Sequence, residues 1–152
     1  DEKKKLVKKD MLGVIAPTYI SPTGKYIMWY ESKARNYFVW DGKEARNITS
    51  KIKMPLYNEE NDVPADPPPY GVMGWHEGDS VVYVYDKYDA WKIDLIGKSD
   101  SKNVTTVGRI TKNIYRYLRV DPEERFIKSS QLVFFRKFND VNKNAGIAEG
   151  NK

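Results

Sequence analysis

The chain contains no cysteine, which removes disulfides, thiolate metal sites and cysteine nucleophiles. Its single histidine, His76, excludes a metal site built on several imidazoles. No stretch approaches the run of about eighteen apolar residues that a membrane helix needs, so no membrane partner is expected. Proline is sparse outside one segment: five of the eight prolines lie between Met54 and Tyr70. What remains suffices for one compact domain. Of 152 residues, 40% are hydrophobic and 31% charged, which is too apolar for a disordered chain.

Twenty-six basic against twenty-one acidic residues leave a net charge of +5. A basic balance invites a nucleic-acid reading, but its distribution argues against one. Lys3, Lys4, Lys5, Lys8 and Lys9 cluster in a charged tail or linker over residues 1–12, and elsewhere Lys and Arg alternate with Asp and Glu as on a solvated surface. Neither nucleic acid nor a cofactor is expected as a partner. The abrupt start on DEKKK and stop on NAGIAEGNK lead us to expect an excised piece of a longer protein.

Aromatic residues make up 13% of the chain and gather in short runs: Tyr26–Tyr30, Tyr37–Trp40, Val81–Tyr85 and Leu132–Phe135. β-Branched and aromatic residues at both alternating positions predict strands covered on both faces, hence stacked antiparallel sheets. Strands are expected near 25–31, 36–41, 80–86, 89–94 and 131–138. Turn formers bound them: Ser21-Pro22-Thr23-Gly24 as a type I turn, Asp41-Gly42 as a tight hairpin, and Glu77-Gly78-Asp79. Ile110 to Leu118 carries helical spacing but also reads as a strand through Tyr115 and Tyr117, and strand is the reading we adopt.

The pattern repeats. Gly24 to Trp29 aligns with Gly78 to Tyr83 at a shift of 54 residues, Trp40-Asp41 with Ile93-Asp94 at 53, and Asn47-Ile48-Thr49 with Asn103-Val104-Thr105 at 56. A partial third copy starts at Asp121-Pro122, 100 residues after Ser21-Pro22. A unit of several short strands about every fifty residues fits a propeller blade. The expected fold is all-β: a partial β-propeller of two to three blades of four-stranded antiparallel sheets. The blade-like repeats would span about 13–53, 70–108 and 114–152. The proline-rich segment 54–69 would be an extended surface excursion, serving either as a binding loop or as an inter-blade connector.

Ser21-Pro22-Thr23-Gly24-Lys25-Tyr26 resembles the S-P-D-G-K-Y blade signature of propeller domains in the prolyl oligopeptidase family of serine peptidases. Pro67 to Asp94, PPPYGVMGWHEGDSVVYVYDKYDAWKID, is similar to a stretch of large exported, Bacteroidetes-type members, and so is Arg119 to Ile127. The likeness runs over roughly residues 13 to 147, and Thr23 departs from the usual Asp. The resemblance implies a non-catalytic part of a peptidase, periplasmic or otherwise exported. Its partners would be an α/β-hydrolase catalytic domain of the same parent chain, bearing a Ser-Asp-His triad, and the peptide substrate. The alternative is a stand-alone propeller interaction module. An open ring would also leave edges for self-association.

No G-x-S-x-G nucleophile motif is present, and Ser80 and His76 fall in a predicted turn with no orienting third group, so no catalytic residue is assigned. Asp86, Asp89 and Asp94 lack the glycine and closing glutamate of a calcium loop and read as turn residues, so no metal residue is assigned. Asn47 and Asn103 match the glycosylation sequon, yet their recurrence at the repeat period predicts a structural role with Thr closing an outer strand. Trp29, Trp40, Trp75 and Trp91 are read as strand packing rather than a sugar platform.

Overall fold

In a computed structural model, Lys4 and residues 17–150 are described. The tail 1–12, apart from Lys4, and the first residues of the first repeat lie outside the described residues. The protein is all-β, with three antiparallel sheets. The first holds β1 (Thr18–Ile20), β2 (Ile27–Glu31), β3 (Asn36–Trp40) and β4 (Ala45–Asn47). The second holds β5 (Val72–Trp75), β6 (Val81–Tyr85), β7 (Ala90–Asp94) and β8 (Lys102–Asn103). In the third, β10 (Val133–Asn139) lies between β9 (Asn113–Tyr117) and β11 (Ala145–Gly150). Strand order follows chain order in every sheet. Among the described residues no helix is long and apolar enough to cross a membrane.

Turn chemistry produces this meander. The Gly24 amide donates to Ser21 O at 2.8 Å, closing the first turn, and both Gly24 and Gly78 sit at φ 76°, a conformation that favours glycine. Asp41 Oδ1 accepts the Lys43 and Glu44 amides between β3 and β4. The segment from Ile110 to Leu118 divides: Ile110 belongs to a short helix, α1 (Gly108–Thr111), and β9 follows from Asn113. The third sheet departs from the expected spacing. Asp121 forms the expected turn, with Glu124 N donating to its carbonyl, but Ile127 does not open a strand of that sheet. It pairs instead with the second sheet, donating to Trp75 O at 2.7 Å and accepting from Glu77 N at 2.9 Å. β10 therefore begins only at Val133, after a longer connection.

The second sheet is the middle layer, and strand alternation delivers its side chains to two cores. Val82, Val84 and Ile93 meet Met28, Tyr30, Tyr37 and Val39 of the first sheet. Tyr83, Tyr85 and Ala90 meet Tyr115, Val133 and Phe135 of the third. Full burial of each such aliphatic or aromatic side chain is worth about 1.5–3 kcal/mol, so the sheets hold together chiefly through these faces. Turns add polar ties. The Thr23 hydroxyl donates to Asp79 Oδ2 at 2.6 Å, Arg125 donates to Pro22 O at 3.0 Å, and the Ser129 amide donates to Glu77 Oε1 at 2.9 Å. The first and third sheets, separated by the second, thus meet through their turns.

The proline-rich segment is only partly a surface excursion. Leu56 is buried in the first core, Tyr57 pairs with Pro69, and the amides of Asn58 and Tyr70 donate to Pro68 O and Leu56 O. A two-stranded stem thus anchors the segment, and residues 62–66 form its exposed tip.

Candidate functional site

The end of the sheets carrying the 54–70 segment also carries the β6–β7 turn, α1 and the β10–β11 hairpin. Charged and tyrosine side chains from all four converge there. Arg109 donates two hydrogen bonds to the Glu59 carboxylate at 3.1 and 2.9 Å, and lies 3.8 Å from Asp86. Lys87 bridges Glu60 at 2.6 Å and Asp140 at 3.3 Å. Their ion pairs raise the Lys87 ammonium above its ordinary range, the hydrogen bond to Glu60 contributing most, and lower the Asp140 carboxyl. The Tyr88 ring, buried beneath them, has Lys87, Arg109 and Lys112 at 5.1, 5.2 and 5.3 Å from its centroid. Cations over a partly desolvated ring are held by its negative face.

Arg116, on β9, is placed differently. Its guanidinium lies 4.4 Å from the Tyr85 ring centroid and 5.9 Å from that of Tyr70. It donates to the carbonyls of Tyr115, Asp86 and Lys87. Burial lowers its pKa, opposed by the nearby Tyr85 and Asp86. The cluster fastens the proline-rich segment to the second and third sheets. These residues lie far apart in the chain, and no local sequence signal marks them.

The residues singled out from sequence are occupied in structural roles. His76 Nδ1 is 3.2 Å from Glu77 O, while the carboxylates of its turn serve elsewhere: Asp79 accepts from Thr23 and Glu77 from Ser129. The aspartates hold turns. Asp86 accepts the amides of Tyr88 and Asp89 and the Trp91 indole N–H. Asp94 accepts the amides of Ile96, Lys98 and Ser99, and these hydrogen bonds outweigh burial to depress its pKa. Among the described residues no group of three or more His, Cys, Asp or Glu is disposed to hold a metal. Trp29 stacks on Phe38 at 6.1 Å, and Trp29 and Trp75 are buried.

The Asn-x-Thr segments are a repeated latch. Asn47 Oδ1 accepts the Thr49 amide and Asn103 Oδ1 accepts the Thr105 amide. The Thr49 hydroxyl donates to Asn36 Oδ1 at 2.7 Å and accepts from Tyr37 N at 2.9 Å. The Thr105 hydroxyl likewise donates to Asp89 Oδ1 at 2.5 Å and accepts from Ala90 N at 3.2 Å. Ile48 packs against the first core and Val104 is buried in the second. No family model, curated protein or solved structure matches this chain.

Proposed function

We propose that this chain is a non-catalytic, partial β-propeller of a prolyl oligopeptidase-like serine peptidase, where it restricts access and contributes peptide contacts. One observation carries the reading: a four-stranded meander recurs with the same threonine latch at a spacing of 53–56 residues and stacks face to face on its copy. Propeller blades have that strand number and packing. The ties between turns of the first and third sheets are consistent with sheets that converge on one side, as blades do. The sequence likeness supplies the family, and with it export and an α/β-hydrolase partner on the same parent chain. The exposed tip at 62–66 is the part of the proline-rich segment left for peptide contact.

The reading predicts an inert fragment within an active parent. A serine nucleophile needs a base in hydrogen-bond reach and an oxyanion hole, normally built where a strand turns sharply into a helix. The purified chain should neither hydrolyse chromogenic peptides nor react with a fluorophosphonate probe. Its parent reading frame should encode G-x-S-x-G followed by Asp and His. Labelling at Ser80 overturns the inert reading; a parent without the motif transfers the case to a stand-alone interaction module.

A further inference from the structure

Two of the three sheets end in a latched fourth strand, and among the described residues the third does not. On the outer side of β11 no described strand pairs. The residues that receive the latch are nevertheless repeated there. Asn36 immediately precedes Tyr37, Asp89 precedes Ala90, and Asn144 precedes Ala145 at the start of the third strand of each sheet. Their backbone settings match: Asp86 N donates to Asp89 O at 3.0 Å, as Asn139 N donates to Asn144 O at 2.8 Å. Inward bonding at 144 turns the N–H and C=O of 145, 147 and 149 outward by strand alternation. Tyr37 and Ala90 use the same outward groups, their carbonyls accepting from Ile48 N at 3.0 Å and Val104 N at 2.9 Å. Asn144 is exposed, its amide donating to Asn142 Oδ1, and no described residue bonds its carboxamide.

Charge repeats as well. A basic residue precedes each latch asparagine, Arg46 in one and Lys102 in the other, and an acid stands five residues after each receiving residue: Asp41 just past β3, Asp94 at the end of β7 and, in the third sheet, Glu149 one residue before the end of β11. Arg46 contributes to lowering the Asp41 carboxyl, behind the hydrogen bonds from Glu44 and Lys43.

The geometry points to the outer edge of β11 as a docking site for an extended segment of the form basic–Asn–aliphatic–Thr. The incoming aliphatic residue's amide donates to Ala145 O. The incoming threonine accepts from Ala145 N and donates to Asn144 Oδ1, and the basic residue lies across from Ile147, diagonal to Glu149, as Arg46 lies across from Val39 and Lys102 across from Lys92. Backbone pairing supplies the affinity and the threonine the selectivity. This inference does not depend on the peptidase reading, because any protein containing these sheets presents the same edge.

The test uses a labelled decapeptide copying residues 43–52, KEARNITSKI, titrated into the whole chain by fluorescence anisotropy, with amide hydrogen exchange mapping the site. The expected result is saturable binding, with exchange at Ala145, Ile147 and Glu149 slowed at saturation. A peptide with Val in place of its threonine, and separately an Asn144→Ala chain, should each weaken binding about tenfold, the scale of one buried hydrogen bond. Circular dichroism checks that the exposed Asn144→Ala change leaves the fold intact. Three outcomes overturn the proposal: no saturable binding up to about 1 mM peptide, equal binding by the valine peptide, or protection confined to other strands. Concentration-dependent dimerisation that protects the same amides without peptide also overturns it, since the occupant is then a second copy.

Discussion

Thr23→Asp, the substitution that restores the blade signature, should destabilise this protein. The Thr23 hydroxyl and amide both donate to Asp79 Oδ2, at 2.6 and 3.0 Å, and Asp79 is fully buried. Burial alone raises the Asp79 pKa, but hydrogen bonds from Ser21 and Thr23 outweigh it, and the carboxyl stays below its ordinary value. The substitution removes a hydroxyl donor to a charged acceptor, worth about 1.5–3 kcal/mol, and sets a second carboxylate beside the first. Two unit charges about 4 Å apart repel by up to about 4 kcal/mol near a protein surface. Position 23 is exposed, so the new side chain turns outward and much of that repulsion is relieved. The net loss is about 2 kcal/mol, or about 4–8 °C in Tm for a chain of this size. Thermal unfolding followed by circular dichroism at pH 7 measures it. Asp79→Asn in the same chain removes the repulsion and should return about half the loss. A Thr23→Asp chain within about 0.5 kcal/mol of the parent, or one that Asp79→Asn leaves uncorrected, refutes the reasoning. With Thr23 in place, the depressed Asp79 pKa adds stability that is complete above the ordinary carboxylate range and disappears as pH falls below it.

Leu56→Ala should cost about 2–5 kcal/mol by opening a cavity in the first core, with faster proteolysis at 62–66 as the stem loosens; unchanged cleavage contradicts the anchoring role of Leu56. Thr105→Val strands the Ala90 amide and takes one of three donors from the Asp89 carboxylate, and should lower stability by about 1–3 kcal/mol in urea unfolding. Burial pushes Tyr30 and Tyr83 up to about 12. Because these folded values exceed the unfolded one, their contribution is intact below about pH 10 and is lost between about pH 10 and 12. Absorbance at 295 nm should therefore show part of the tyrosine ionising only as circular dichroism collapses. Smooth ionisation of all eleven tyrosines near pH 10 is the contrary result.

The strands legible in the sequence were those whose side chains fill a core. Tyr26–Tyr30 and Val81–Tyr85 carry β-formers at every position because both alternating sets are covered. β11 was illegible, since Ala145-Gly146-Ile147-Ala148-Glu149-Gly150 has little β-propensity and is held by pairing with β10. At Gly150 a Cβ would collide with the Phe135 ring, so packing selects the weakest strand former. β4 and β8 are too short for periodicity, yet their Asn-x-Thr endings were readable because the pattern recurs. The cation–tyrosine cluster was not readable: it joins Glu59, Tyr88, Arg109 and Asp140, which only the tertiary fold brings together.

Asp89 has a second task that Asn36 lacks. Besides the Thr105 latch, it accepts the amides of Gly108 and Arg109, and a Cβ at Gly108 would overlap its carboxylate. One side chain therefore fixes the end of one sheet and the launch of the next, leaving no slack between Thr105 and Asn113. At the preceding junction the same position clasps only the latch, and the chain there has room for the long detour through residues 54–70. Added length is thus absorbed where the clasp is single and resisted where it is shared. A graft or domain insertion should be borne at the first junction and break the register of everything downstream at the second.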